Sequence, residues 1–120
     1  MNVVLSIKPE FVKEIISGRK RYEFRKAVFK KSVEKVYIYS SSPESRIVGE
    51  FQPVDVFQDT PEVIWDKTKD FAGIKKEWFD RYFIGRTTAY AIEIKNLKIY
   101  KTPKIIPFRA PQSFRYIDTL

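Results

Sequence analysis

Gly18-Arg19-Lys20-Arg21-Tyr22-Glu23-Phe24-Arg25 has the form Gly-x-Lys-x-x-Glu-x-Arg, and it lies where a short predicted helix gives way to a strand. Side chains alternate along a strand, so Glu23 and Arg25 share one face. Lys20 has the wrong parity for that face, and we expect it to come from the turn after Gly18 and reach over the end of the strand. Ionic side chains gathered in this way are typical of a cleft that holds a polar ligand.

The segments around this stretch predict an α+β domain with a curved or closed sheet. An apolar strand over residues 2–7 precedes a helix that begins at Pro9 and ends at Gly18. Proline suits the first helical position, and glycine suits the left-handed cap at the end. Further strands are predicted over residues 34–41, 46–52 and 87–95.

Two more predictions concern the second half of the chain. Thr60 is an N-cap that begins a helix, and a further helix follows Gly73. Aromatic side chains recur at helical spacing in the latter, and we expect them to face the core: Trp78, Phe79, Tyr82 and Phe83. Residues 97–101 are expected to pair with the 87–95 strand through a turn near Asn96.

The composition indicates one globular domain over residues 1–120, without a linker or repeat. The chain has no cysteine and no histidine, so the usual zinc ligands and the Ser-His-Asp and Cys-His nucleophile systems are excluded. We expect no metal and no cofactor. No apolar run reaches the roughly 18 residues that cross a bilayer, and no signal peptide is evident, so we expect a cytoplasmic protein without membrane contact.

The net charge of +8 is unevenly distributed along the chain. Residues 8–35 carry ten basic and four acidic side chains, and residues 95–115 carry six basic and none acidic. Residues 50–80 carry four basic and eight acidic side chains. Two basic segments around an acidic middle favour a directed field that attracts polyanions, nucleic acid above all. A solvated charged surface without a particular partner is the alternative interpretation.

The motif and the order of elements resemble the ASCH domains, a branch of the PUA-like fold associated with RNA. Leu5-Ser6-Ile7-Lys8-Pro9 is similar to the start of the family's first helix, and Ile47-Val48-Gly49-Glu50 is similar to a later strand. The closing Pro-Gln-Ser-Phe resembles the tail of one subgroup. The resemblance implies a small PUA-like mixed β-barrel with a helix across one opening and two further short helices. It also implies RNA, or a modified nucleoside from RNA, as the ligand of the cleft between helix and barrel.

One branch of this family hydrolyses acetylated cytidine with a Lys, a Thr three residues later and a Glu elsewhere in the chain. Lys20 matches that Lys, but position 23 is Glu rather than Thr. The hydroxyl nucleophile is therefore missing, and the resemblance does not extend to the amidohydrolase activity. Other members have been linked to RNA cleavage.

The leading candidate site consists of Lys20, Glu23 and Arg25. Lysine and arginine bind phosphate, and Glu23 can hold the cations in place or accept a hydrogen bond from an exocyclic base amine. A strand edge decorated with mutually paired surface charges is the alternative interpretation, and such pairs contribute little free energy.

Other candidates surround this motif. We expect Lys8 to lean over the same cleft, although an ordinary surface lysine is equally consistent with its position, and Glu50 to project toward Lys20 and pair with it. Hydroxyls or turn amides for a phosphate come from a turn whose alternative role is structural: Ser40, Ser41 and Ser42. Three tyrosines are candidates for stacking on bases: Tyr37, Tyr39 and Tyr116.

These observations favour a protein that binds RNA or a nucleotide-like anion in a basic cleft. A single-stranded loop or end is favoured over a duplex, because sequence-specific RNA recognition targets splayed bases. The alternative is a small hydrolase that acts on a modified nucleoside or RNA, with Lys20 as general base and Glu23 or Glu50 as its partner. A third interpretation is an interaction module whose basic face docks an acidic protein.

Overall fold

The computed structural model describes residues 1–120 as eight strands and three helices. The strands are β1 (Asn2–Ile7), β2 (Tyr22–Arg25), β3 (Lys35–Ser40), β4 (Arg46–Gln52), β5 (Val56–Asp59), β6 (Ala89–Glu93), β7 (Lys95–Lys104) and β8 (Phe114–Ile117). The helices are α1 (Pro9–Ser17), α2 (Pro61–Thr68) and α3 (Lys76–Tyr82), and a 3-10 turn (Lys69–Phe71) follows α2. The predicted α+β class is confirmed. None of the helices has the length and apolar character needed to span a membrane.

The strands form two sheets that enclose a common core. The larger sheet has the order β7-β4-β3-β1-β8, with β1 and β3 parallel and all other pairs antiparallel. The smaller sheet is antiparallel, with the order β2-β6-β5. Ile92 of β6 packs in the same apolar cluster as residues of β1, β3 and β4. The expected pairing of residues 97–101 with the preceding strand is wrong, because β7 pairs with β4 in the other sheet.

Helix α1 closes one side of this core. It begins at Pro9 and ends at Gly18, which has a φ of 84° and donates its N–H to the carbonyl of Ile15. Val12 and Ile15 are buried among β1 residues that alternate toward the helix. The predicted helix bounds are therefore confirmed, and the helix delivers the chain directly to the charged motif.

Helices α2 and α3 cover the smaller sheet. Phe79 of α3 and Phe83, the residue after its end, are buried there, and Phe79 meets Phe24 edge to face at 5.1 Å. Trp78 and Tyr82 lie on the other face of α3 and remain 41% and 37% exposed. The prediction that all four aromatic residues face the core is wrong for these two, because a short surface helix buries one stripe only.

The segment after β7 lies across the outer side of the larger sheet. We call residues 105–113 the C-terminal strap. Its half-buried side chains Ile106, Phe108 and Ala110 pack against the buried side chains Tyr37 and Tyr39 of β3. The strap thus covers the centre of this face and brings its own end to the site described below.

Candidate functional site

A cavity of about 670 Å³ lies where α1, β2, α3 and the C-terminal strap meet at one end of the larger sheet. Its volume is within the range of roughly 300–1,000 Å³ that is usual for small-molecule sites. The walls carry ionic, aromatic and hydroxyl side chains. The ionic residues that line it are Lys8, Lys20, Glu23 and Arg25.

Lys20 is buried at the base of the cavity, with 2% of its surface exposed. It precedes β2, and its backbone forms an isolated bridge with Ala72 in the loop before α3. Its Nζ donates to the Ala72 carbonyl at 3.2 Å and lies 4.7 Å from the ring centre of Phe24. Gly73 makes this close approach feasible, because a Cβ there would lie 2.8 Å from the Lys20 Cα. The loop and the lysine therefore hold each other in place.

Glu23 stands between two cations. Its Oε1 is 3.6 Å from the Lys20 Nζ, and its Oε2 accepts from Nε and Nη2 of Arg25 at 3.0 and 2.6 Å. Arg25 also donates to the Ser6 carbonyl at 2.7 Å and to the Ser113 hydroxyl at 3.3 Å. Four contacts thus occupy the guanidinium, which ties β2 to β1 and to the strap. The three residues of the motif converge on one hollow, and Arg25 serves mainly to fix Glu23.

The electrostatics of this group follow from burial. Burial lowers the pKa of the Lys20 ammonium below its ordinary value of 10.5 because a buried charge loses its hydration. The Glu23 carboxylate opposes this change, and the nearby Arg25 adds to it. Burial also raises the pKa of the Tyr82 phenol, against the effect of Arg25. The cavity therefore holds an amine with reduced proton affinity next to a fixed carboxylate.

Aromatic rings form one wall. Trp78 meets Phe11 edge to face at 6.0 Å, and the Lys8 Nζ lies 5.3 Å from the Trp78 ring centre. Tyr82 and Tyr39 also line the cavity. The exposed surface of Trp78 and Tyr82 is open to a flat ligand, whereas Tyr39 is buried near the end of the central strand β3. Sequence analysis missed Trp78 and Tyr82 because helical spacing groups aromatic residues without telling which of them face solvent.

Hydroxyl groups line the opposite side. Ser41, Ser42 and Ser45 come from the turn between β3 and β4. Ser113 comes from the strap, and the Ser6 hydroxyl donates to the Pro111 carbonyl at 2.6 Å, which anchors the strap to β1. The strap was not among the predicted site residues. The sequence feature that could have indicated it is Pro111-Gln112-Ser113, whose residues line the cavity. Among residues 1–120, no three carboxylates gather as a metal site requires.

Two predicted site residues lie outside the cavity. Glu50 does not pair with Lys20; it accepts from Tyr100 at 2.6 Å and pairs with Lys35 at 3.1 Å on the outer side of the larger sheet. Ser40 is fully buried and its hydroxyl has no hydrogen-bond partner, because alternation along β3 turns it toward the core while Ser41 lines the cavity.

Two of the three predicted stacking tyrosines also lie elsewhere. Tyr37 is buried beneath the strap. Tyr116 is half-buried, and its hydroxyl accepts from the backbone N–H of Lys30 at 2.8 Å. Only Tyr39 of this set borders the cavity. Lys8, predicted to lean over the cleft, does line it.

The comparison with protein families agrees with this architecture. A family model described as the ASCH domain matches residues 5–101. The chain belongs to the ASCH domain family. The match includes α1, the charged motif and the turn with Ser41, but it ends before the strap.

Individual relatives extend the comparison. This ASCH chain is 25% identical over 122 residues to the "ASCH domain-containing ribonuclease" of Zymomonas mobilis, with 95% of this chain and 82% of that protein covered. A crystal structure of ASCH from Zymomonas mobilis has the same fold, with a TM-score of 0.88 at 24% identity, covering 98% of this chain and 87% of the other. A segment of "ATP synthase subunit alpha" of Ureaplasma parvum is 26% identical to this chain, with 96% of this chain covered. The chain spans only 15% of the length of that relative.

Proposed function

We propose that this ASCH domain binds single-stranded RNA and takes one nucleotide into the cavity. The observation that carries the proposal is the buried group of Lys20, Glu23 and Arg25 at the base of a cavity with an exposed aromatic wall. Burial of charges is costly unless they are paired, and such groups concentrate at functional sites. The basic segments of the chain add long-range attraction for a polyanion.

The contacts of each side chain suggest its part in binding. The Oε1 atom of Glu23 lies 3.6 Å from the Lys20 Nζ and keeps a lone pair for an exocyclic amine of a base. The Lys20 ammonium has donors to spare beyond the Ala72 carbonyl and can reach a base carbonyl. Arg25 spends most of its donors within the protein and acts as a positioning residue for Glu23. The Glu23 acceptor and the Lys20 donor together suit the edge of a base better than a phosphate, which offers acceptors only.

The walls of the cavity suit the remaining parts of a nucleotide. Trp78 offers a face for the base, and stacking of a base on an aromatic side chain contributes about 1–3 kcal/mol. Lys8 is exposed at the mouth and its charge is not paired with a carboxylate, so it is the nearest cation for a phosphate. Ser41 and Ser42 add hydroxyl donors.

A second candidate function is hydrolysis of RNA or of a modified nucleoside. The lowered pKa of Lys20 favours it, because an amine that loses its proton more easily is a better general base, with Glu23 as its partner. The name of the Zymomonas mobilis relative, a ribonuclease, points the same way. Glu50 has no part in this chemistry because it pairs on the other side of the sheet.

Binding is tested with fluorescent single-stranded RNA and an RNA duplex. We expect the single strand to bind more tightly, and we expect Lys20→Met and Trp78→Ala each to weaken its binding at least about fivefold, the lower limit of one stacking contact. Lys69→Gln is the control, since Lys69 is exposed and pairs with Asp66 away from the cavity. If Lys20→Met weakens binding no more than Lys69→Gln does, and Trp78→Ala does not weaken it, with folding verified by circular dichroism, the binding is nonspecific charge attraction.

Hydrolysis is tested on the same proteins. If the chain cleaves RNA, Lys20→Met should abolish turnover while Trp78→Ala mainly weakens substrate binding. Full turnover by the Lys20 variant would rule out Lys20 as the general base, whereas no turnover by the wild type would leave binding as the function.

A further inference from the structure

The basic side chains of the segment 95–115 play no direct part in the cavity. None of its six basic side chains is among the residues that line it. The long strand β7 that begins this segment is an edge strand, and nearly all of its residues are exposed. Lysines on an edge strand often protect it from pairing with other chains. Here, in addition, several of the lysines lie together on one face of the sheet.

The register of β7 brings its lysines to one face. Partners across a ladder have side chains on the same side of the sheet, and Tyr37, Glu50 and Lys98 form one such row. Lys104 lies opposite Ile47, which packs with Tyr37. Its Nζ lies 4.9 Å from the ring centre of Tyr100, whose hydroxyl reaches Glu50 at 2.6 Å. These contacts place both lysines on the outer side, where the strap lies.

A register shift between β4 and β7 brings Lys95 to the same face. Lys95 and Lys98 are three residues apart, which would put them on opposite faces of a regular strand. The register shifts between Glu50 and Gln52, so that Lys95 lies opposite Gln52 and returns to the outer face. The bulges of β7 therefore collect cations that a regular strand would divide between two faces.

The neighbouring strands contribute to the same face. Lys35 of β3 alternates with Tyr37 and pairs with Glu50, and Arg115 of β8 lies opposite Val4 with its guanidinium 4.1 Å from the ring centre of Phe108 in the strap. We call these cations the outer basic face; they are Lys35, Lys95, Lys98, Lys104 and Arg115. Two carboxylates lie beside these cations: Glu50, which the strand register places among them, and Glu93, whose Oε2 is 3.6 Å from the Lys95 Nζ.

We propose that the outer basic face is a second RNA-contact surface, which holds the phosphates of single-stranded nucleotides that continue from the one in the cavity. The inference rests on the proposed function. Tyr39 connects the two surfaces, since it lies on the outer side with Tyr37 and also borders the cavity. Strands are spaced about 4.8 Å apart, so β7 lies about 10 Å from β3, the span of roughly three stacked nucleotides.

RNA fits this face better than an acidic protein does. The centres of protein interfaces are depleted of lysine and rich in exposed aromatic residues. Here the apolar centre is already covered by Ile106 and Phe108 of the strap, and the exposed groups around it are cations. The partners of Lys95 and Lys104 on β4, Gln52 and Ile47, are five positions apart, so these lysines extend over roughly 17 Å at the usual rise of a strand. A chain of evenly spaced phosphates matches such a line.

The test measures affinity against the length of the RNA. Nucleoside monophosphates and single-stranded RNAs of about three, six and ten nucleotides are titrated into the full chain, and we expect affinity to rise up to about ten nucleotides. Lys98→Gln with Lys104→Gln should weaken binding of the longest RNA roughly tenfold and reduce its salt slope by about 1.4, that is, 0.7 for each lost phosphate contact. The same variant should bind monophosphates as the wild type does.

The control is Lys67→Gln with Lys69→Gln, which changes the net charge equally on α2 and the turn after it. Losses equal to those of the control, or affinity that does not rise with length, would overturn the proposal. Competition by polyglutamate as effective as RNA of equal charge would assign the face to an acidic protein instead. If monophosphates do not bind but the β7 variant still loses long RNA, the cavity proposal fails while the outer basic face stands.

Discussion

At the scale of single residues, Glu23 balances the charge of the site. It is the only carboxylate between Lys20 and Arg25, whose side chains are 2% and 12% exposed. Glu23→Gln keeps the shape but leaves two cations without a counter-charge, and we expect it to cost roughly 3–5 kcal/mol of the free energy of unfolding, measured in urea. Glu50→Gln is the matched control, because its partner Lys35 is 39% exposed and such pairs contribute about 1 kcal/mol or less. Similar losses in both variants would mean that the buried group is not held by its charges.

The buried Lys20 should make the stability of the fold depend on pH. Its pKa is lower in the folded chain than the ordinary value of 10.5, chiefly through burial. Between these two pKa values the unfolded chain binds more protons than the folded chain, so stability rises with pH in that window. The stability of the wild type relative to Lys20→Met should therefore increase as the pH rises toward 10.5, as measured by urea unfolding. A decrease would show that Glu23 stabilises the ammonium more than burial penalises it.

At the scale of elements, the loop before α3 is as important as the strand that carries the motif. Gly73 has a φ of 66°, and any Cβ there would collide with the Lys20 side chain. Gly73→Ala should displace Lys20 or the loop, and we expect it to weaken RNA binding and to lower stability by more than Gly18→Ala does. Gly18 has a similar φ of 84° but open space around it, so its substitution isolates the backbone cost of about 1 kcal/mol. Equal effects on binding would show that the contact between loop and lysine is dispensable.

The sequence could predict those contacts within one helix or strand, but not those that depend on how the strands pair. Glu23 and Arg25 are two residues apart on β2, so alternation along the strand was enough to predict that they lie together. The caps of α1 could be predicted for the same reason, because they depend only on neighbouring residues. The neighbours of Glu50 are not local: they depend on a register shift in β3–β4 and on the pairing of β7 with β4. Trp78 was assigned to the core because helical spacing identifies a stripe but not its angular limit.

At the scale of the whole molecule, the two sheets depend on one another. The chain passes from β6 in the smaller sheet to β7 in the larger one with only Ile94 between them. Arg25 joins β2 of the smaller sheet to the Ser6 carbonyl of β1 in the larger one, and to Ser113 in the strap. Each wall of the cavity thus comes from a part of the chain that another part holds in place, and the site exists only in the complete fold.

This interdependence predicts that residues 1–120 unfold in a single cooperative transition. Both tryptophans, Trp65 and Trp78, lie on α2 and α3 above the smaller sheet, whereas far-UV circular dichroism reports on all the strands and helices. The two signals should follow the same curve in urea because Ile92 of β6 packs in the core of the larger sheet, so neither sheet can open without exposing that core. Fluorescence that changes at lower urea than circular dichroism would mean that the smaller sheet and its helices unfold first. The cavity would then be lost while the outer basic face persists, and RNA binding measured across the transition would separate the two surfaces.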